Sequence, residues 1–176
     1  MSEELEFKPT EFFDKVGFTV GVFDYLHPGH IMMFQECCKQ CDYLIVGIND
    51  ATNLGEHKQK PIQSLKERRM MVEALDNVDE VLIYSGEKEL YELLQTLNYH
   101  VRFVGEDHED TSLTGEDIPG HLDKVIYVPR KHGFSSTVMK YRAYWNTIQD
   151  KDGNTFYSPE GYEWRDVVSG NLFPKN

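Results

Sequence analysis

The chain has 176 residues, 30 Asp and Glu against 18 Lys and Arg, and a formal net charge of −12. That length suits one domain with its own core and a short appendage at most, and the acidic balance disfavours a protein that coats DNA or RNA, which needs a basic face. No run approaches the ~18 apolar residues of a membrane span, residues 1–15 lack the apolar centre of a secretion signal, and Cys37, Cys38 and Cys41 lie too close together for a secreted disulfide framework, so the expected compartment is the cytoplasm.

Residues 17–23 (GFTVGVF) are apolar and β-branched and predict a buried strand. From residue 27 to about 40, Ile31, Met32, Phe34, Cys37 and Cys38, with Cys41 beyond, recur at helical intervals. Pro28 suits the first helical turn, where a missing N–H costs nothing. Residues 43–48 (YLIVGI) predict a second buried strand, and the polar stretch 49–61 has no periodicity and predicts a loop. Ser64 and Glu67 form a capping box at the head of a helix reaching about residue 75. Residues 81–84 predict a third strand, and 87–97 an amphipathic helix with Leu90, Leu93, Leu94 and Leu97 on one face. Strands are predicted at 101–104 and 124–128, and a last helix from 135 to about 145.

Apolar strands alternating with helices argue for a parallel sheet covered on both faces. The expected fold is α/β, a Rossmann-like, doubly wound parallel five-stranded sheet with a short C-terminal appendage. Its ligand should lie at the carboxyl ends of the strands, near the switch point. The expected divisions are an N-terminal extension (1–15), the main domain (16–146) and the appendage (147–176). In the appendage, Asp152-Gly153 suggests a hairpin turn. Tyr157, Tyr162, Trp164 and Phe173 read better as anchors to the core than as base-stacking residues.

The main chemical signal is residues 21–30, GVFDYLHPGH, where a strand ends and two histidines bracket a helix start. Free N–H groups and the positive dipole end at a helix N-terminus favour phosphate. Imidazoles beside them can donate to phosphate oxygens and stabilise charge growing on phosphorus, and Gly29 permits close backbone approach. The competing readings are a metal pair and plain surface histidines; a zinc site would place helix ligands four apart and add further partners. Residues 58–69 hold five basic residues and one acid, and residues 130–140 three basic residues and none, so positive charge gathers in two segments. Ser135, Ser136 and Thr137 follow Gly133 at a helix start, more hydroxyls than capping needs, and suggest a second phosphate cradle. The six acids of residues 106–117 read as a solvated loop before a metal site, and Cys38-x-x-Cys41 as reduced core thiols.

The stretch His27-Pro28-Gly29-His30 resembles the HxGH signature of the nucleotidylyltransferase superfamily, and within it the cytidylyltransferases. Residues 42–47, Lys58-Gln59-Lys60-Pro61 with Glu67-Arg68, residues 78–81, Gly105-Glu106-Asp107 and residues 130–137 (RKHGFSST) resemble further family elements, in family order. The likeness is greatest to the small bacterial glycerol-3-phosphate cytidylyltransferases. It departs at Lys131-His132, where those enzymes typically carry Thr-Glu, at Phe134 and Ser136, and at Pro28, which replaces an aromatic residue.

The resemblance implies transfer of CMP from CTP to a phosphorylated alcohol, with glycerol 3-phosphate favoured. It implies catalytic roles for His27, His30 and Lys60. Val22, Phe23, Gly29, Asp107, Arg130, Ser135, Ser136 and Thr137 would join them around the nucleotide, and Asp24, Lys58 and Arg68 would meet the acceptor. It also implies Mg2+ held mainly through the nucleotide phosphates, no protein metal ligands, no nucleic-acid partner and a homodimer. The alternatives are an adenylyltransferase of the FAD-synthetase type, where His-Pro-Gly-His is frequent, a non-catalytic nucleotide sensor on the same fold, and a zinc-binding module.

Overall fold

The computed structural model describes residues 13–53, 60–130, 132–140, 143, 162–166 and 171–174. Five parallel strands, β1 (Val16–Gly21), β2 (Tyr43–Asn49), β3 (Glu80–Tyr84), β4 (Val101–Gly105) and β5 (Val125–Val128), form one sheet in the order β3-β2-β1-β4-β5. Helices α1 (Pro28–Cys38), α2 (Leu65–Glu73) and α3 (Gly86–Thr96) link them in the first half. The chain runs outward from β1 to β3, then returns to the other side of β1 with β4. That reversal leaves a crevice between β1 and β4 at the carboxyl edge, where the register of Thr19 with Phe103 ends the pairing.

β2 shows why the strands read as unbroken apolar runs. All seven of its residues are buried, because alternate side chains enter different cores. Tyr43 and Ile45 join Val16, Phe18, Leu82, Leu90, Leu94 and Tyr99 on the α3 face. Leu44, Val46 and Ile48 join Phe34, Cys37, Val72, Val101 and Phe103 on the α1–α2 face. Each large side chain fully buried in this way is worth about 1.5–3 kcal/mol. Thr19, buried in the middle of β1, satisfies its hydroxyl by donating to the Phe103 carbonyl at 3.1 Å.

The elements match the predicted ones to within a few residues. The capping box is present: the Glu67 N–H donates to Ser64 Oγ at 3.3 Å, and the Ser64 N–H to Glu67 Oε2 at 2.7 Å. The three cysteines are free thiols. Cys38 and Cys41 donate to the carbonyls of Asn77 and Cys37, and burial pushes the Cys41 thiol up to about 11, which removes nucleophilic character. The last predicted helix is seen at residues 136–140, with most of the rest of its expected length outside the described residues. Towards the C-terminus, β6 (Tyr162–Asp166) and β7 (Asn171–Pro174) pair antiparallel. The described pair therefore flanks residues 167–170, while Asp152-Gly153 and Tyr157 lie outside the described residues. Among the described residues, no helix is long and apolar enough to cross a membrane.

Candidate active site

The carboxyl edge of the sheet opens into a cavity of about 480 Å³, lined by residues 20–23, His27, Gly29, His30, residues 102–105, Asp107, Arg130 and His132, among others. Ligand pockets are typically about 300–1,000 Å³. At its mouth the loop between β1 and α1 makes an unusual turn. Phe23 and Tyr25 both have left-handed backbones, with φ of 52° and 51°. For residues with a Cβ that conformation costs about 1–2 kcal/mol each, so the surroundings must enforce it.

Asp24, between those two residues, is the main enforcer. Its carboxylate accepts from the N–H groups of Ile62 and Gln63 at 3.0 Å each and pairs with Lys140 at 2.7 Å. Its carbonyl accepts from Ser136 Oγ at 2.6 Å, and Gln63 Oε1 accepts from the Tyr25 N–H at 2.7 Å. Burial pushes the Asp24 carboxyl up, but Lys140 and the two backbone N–H groups outweigh it and hold the group below its ordinary range. Arg68 acts from the other side. It is 1% exposed and donates to the carbonyls of Val22, Asn49 and Asp50 at 2.7, 2.7 and 3.1 Å.

Asp24, expected at the acceptor, is engaged with backbone groups and Lys140, and Arg68, expected there too, with backbone carbonyls; neither is among the residues that line the cavity. The physical reason is burial: a charge this deep needs hydrogen-bond partners in the fold itself.

The histidines open α1. His27 is its N-cap, 5% exposed, and its ring stacks on His30 with centroids 3.8 Å apart and planes 19° apart. His30 lies edge-on to Phe23 at 5.3 Å. Its Nδ1 faces the His27 N–H at 3.4 Å, which leaves Nε2 as the protonated nitrogen of the neutral ring. Burial, then Arg130 and His132, lower His27 to about 4; burial, then His27, Arg130 and His132, lower His30 to about 3. Both rings are therefore neutral at pH 7, and each carries one N–H to donate. His27 Nδ1 is buried without a partner.

Gly29 is required by these rings. A Cβ there would lie 2.5 Å from His132 Cε1 and 3.0 Å from His27 Cε1 and Nδ1. His132 is thus a third imidazole of the site, with its own Nδ1 buried and unpartnered. The sequence shows His132 only as a departure from the family pattern, with nothing to point it inward. Arg130 and Asp107 form an ion pair at 2.6 Å, both partly exposed on the cavity wall.

Other expected residues stand further off. Ser135, Ser136 and Thr137 do not line the cavity. Ser135 caps its helix by accepting the Val138 N–H at 3.1 Å, and Ser136 holds Asp24 as described. Lys60 is exposed and also outside the lining, but sits two residues before the Ile62–Gln63 anchor. Lys58 falls outside the described residues. The sequence also left unmarked the far end of the cavity, where Asn49, Tyr84, Glu87, Arg102 and Thr114 gather.

A parallel β3-β2-β1-β4-β5 sheet with paired histidines at a helix start beside its switch point defines a nucleotidyltransferase-type α/β domain. The family model described as cytidylyltransferase-like matches residues 18–156, and the chain belongs to that family. It is similar to the bifunctional protein HldE of Caulobacter vibrioides, 34% identical over 126 residues, covering 70% of this chain and 26% of that protein. For HldE of Paramagnetospirillum magneticum the figures are 34% over 143 residues, 80% and 28%. The chain thus spans about a quarter of the length of these relatives. The lipopolysaccharide core biosynthesis protein of Thermoplasma volcanium shares the fold, with a TM-score of 0.53 and 22% identity over 69% of this chain and 98% of that one.

Proposed function

We propose that the domain transfers CMP from CTP to a phosphorylated alcohol, with glycerol 3-phosphate the favoured acceptor. An oxygen of the acceptor phosphate attacks the α-phosphorus of CTP, the bond from that phosphorus to the bridging oxygen of the β-phosphate breaks, and pyrophosphate leaves. The nucleophile is already an anion, so no protein base is needed, and catalysis rests on positioning and charge stabilisation.

The observation that carries this reading is the buried, neutral, stacked pair His27 and His30 at the start of α1, facing the cavity with His27 Nδ1 unpartnered. A neutral imidazole donor costs little to keep in a dry site and gains strength as negative charge builds on the α-phosphate. Val22 and Phe23 meet the nucleotide through the backbone, and Arg130 with Asp107 holds the nucleoside side. Lys60 closes over the phosphates with Lys58 beside it. Ser135, Ser136 and Thr137 serve the leaving pyrophosphate. His132 adds a third donor over Gly29.

On this reading Mg2+ arrives on the triphosphate and takes few protein ligands. When bound, the ion neutralises phosphate charge. The protein works as a homodimer in the cytoplasm on this reading.

The test is pyrophosphate release in the presence of Mg2+, with each of the four nucleoside triphosphates offered against a set of alcohol and sugar phosphates. CTP is expected to support turnover with glycerol 3-phosphate. Turnover with ATP and none with CTP would overturn the reading in favour of adenylyl transfer.

A further inference from the structure

Residues 109–121, between β4 and β5, lie in neither helix nor strand, yet two of them, Leu113 and Thr114, form part of the cavity wall. Residues 106–121 contain six acids and, as large apolar side chains, only Leu113 and Ile118. Burying two such side chains is worth about 3–6 kcal/mol, less than the entropy of ordering so long a segment at about 1–2 kcal/mol per residue. Successive turns hold the segment locally. In them the N–H groups of Glu116, Ile118 and His121 donate to the carbonyls of Leu113, Gly115 and Ile118 at 3.0 Å each. Gly115 and Gly120 supply left-handed backbones, with φ of 85° and 72°. A Cβ at Gly115 would lie 2.8 Å from Leu94 Cδ1 on α3.

The tie to the sheet is polar and converges on His121. Its ring is 2% exposed, and Tyr99 and Arg102, one at each nitrogen, are 4% exposed. Arg102 Nη1 donates to the Thr114 carbonyl at 2.7 Å and to His121 Nε2 at 2.8 Å, which uses both of its hydrogens. A guanidinium only donates, so Nε2 is the bare nitrogen of a neutral ring and Nδ1 carries the proton. Nδ1 then donates to the Tyr99 hydroxyl oxygen at 2.6 Å. Lys124 holds Tyr99 in turn: its Nζ donates to the Tyr99 carbonyl at 3.1 Å and lies 4.7 Å from the ring centroid. Thr114 and His121, at the two ends of the turns, are thus fastened to one nitrogen of β4. His121 itself does not line the cavity.

The arrangement admits one protonation state. A second proton would go to Nε2 and set an N–H against the guanidinium N–H. The charged groups acting on the ring are Arg102 from β4 and Lys124 from the turn before β5, both cations. Tyr99, from the connection between α3 and β4, stays neutral because burial raises its hydroxyl. From α3 the segment meets the apolar Leu94, while Glu87 acts on Arg102 and accepts the Thr114 hydroxyl. Within the segment, Glu116 accepts the Leu113 N–H at 3.2 Å and Asp117 the Tyr91 hydroxyl at 3.1 Å. Burial, then Arg102 and Lys124, hold the His121 ring below its ordinary range.

We propose that His121 is a positioning residue of the site: as a neutral ring protonated at Nδ1 it fixes the Arg102 side chain and pins residues 113–121 to the sheet, so that Leu113 and Thr114 stand as cavity wall, and a second proton releases the segment. The inference goes beyond the transferase reading and concerns the wall whatever the cavity holds. A released ring takes its proton near pH 6.5 and the pinned ring only at lower pH. Pinning is therefore complete above about pH 6.5 and weakens as the pH falls below it.

The test is amide hydrogen exchange followed by NMR at pH 7.5 and pH 5.5, corrected for the intrinsic effect of pH on exchange. The probes are the N–H groups of Glu116, Ile118 and His121. The amides of β2, which report unfolding of the whole domain, should exchange more slowly than the probes at both pH values. In the unaltered chain, opening at the probes should rise severalfold, up to about tenfold, at pH 5.5. His121→Gln places an amide oxygen where Nε2 stood, so it keeps the bond from Arg102 but cannot titrate, and its probes should respond little to pH. His121→Leu should open the probes at least about tenfold at both pH values. A merely structural role predicts the same pH response in the unaltered chain and in His121→Gln. That result, or a flat response in the unaltered chain, would overturn the proposal. Nitrogen chemical shifts of His121 read its tautomer in the unaltered protein, so a neutral ring protonated at Nε2 would overturn it even where a variant fails to fold. In the pyrophosphate assay, His121→Leu should raise KM more than it lowers kcat. The expected exchange pattern without pyrophosphate release from any triphosphate would keep the role of His121 and defeat only the transferase reading.

Discussion

At His27 and His30 the largest influence is burial, which no feature of the motif itself reveals. An unfolded chain protonates each imidazole near pH 6.5, whereas the folded domain does so only near 4 and near 3. Between these values the unfolded state binds more protons, so stability rises with pH there. The stability from the two neutral rings is complete above about pH 6.5 and is lost as the pH falls towards 4 and then 3. Urea midpoints at pH 7.5 and pH 5 should therefore differ, and a His27→Gln, His30→Gln double variant should shrink that difference. An unchanged difference would place the effect elsewhere. For activity, His27→Ala or His30→Ala should each lower turnover by about 10²-fold, as for loss of one oxyanion donor, with the thermal midpoint at pH 7.5 nearly unmoved. His132→Ala should show a smaller loss of the same kind in the same assay.

Among the elements, the loop between β1 and α1 links sequence to chemistry. Its two left-handed residues aim the backbone at the cavity, and the conformation persists because Asp24 and Arg68 hold it from two sides. Arg68→Met keeps the bulk but removes three donors from buried carbonyls. It should cost about 3 kcal/mol or more of folding stability, read from urea denaturation. Asp24→Asn keeps the shape, but loses the ion pair with Lys140 and one of two backbone acceptors. A loss of about 1–3 kcal/mol is expected, along with lower turnover from a loosened loop. Stability near that of the unaltered chain in both variants would show that the loop holds itself. The same anchor bears on the proposed role of Lys60, which does not line the cavity. Ile62 and Gln63 are tied to Asp24, which fixes the chain two residues after Lys60 against the β1–α1 loop; if Lys60 serves the phosphates as proposed, Lys60→Ala should raise the CTP KM while leaving the fold intact.

For the whole molecule, a net charge of −12 makes a polyanionic ligand unwelcome except where local charge reverses the field. Arg130 and Arg102 line the cavity, and the buried Arg68 holds the loop backbone beside it. Binding a nucleotide with its Mg2+ should therefore stabilise the fold strongly. At a hundred times Kd, linkage gives about 2.7 kcal/mol, or about 5–10 °C in Tm for a chain of this size. CTP with Mg2+ is expected to produce that shift and ATP a smaller one at equal concentration, read by scanning calorimetry. A larger shift with ATP would argue for adenylyl transfer.

Local pattern alone was enough for the strands of the sheet, the Ser64–Glu67 capping box and the helix start at His27. Each of these depends on residues a few positions apart: alternation or run length in a strand, three-residue spacing in a cap, a strand end followed by Pro28-Gly29. The family likeness was legible for the same reason, because its motifs are short and come in order. What only the tertiary structure decided is who partners the charges. Asp24 meets Ser136 from 112 positions away and Lys140 beside it, and Arg68 reaches back 46 positions to Val22. A charged residue in a sequence carries no sign of whether its partner is a ligand or a buried carbonyl. That depends on which strand lies beside which, and the β1–β4 neighbourhood exists only once the sheet has reversed direction. Arg102 and His132 make the same point in the other direction. One read as part of an apolar strand and the other as an irregularity in a motif, and the folded chain turned both toward the cavity.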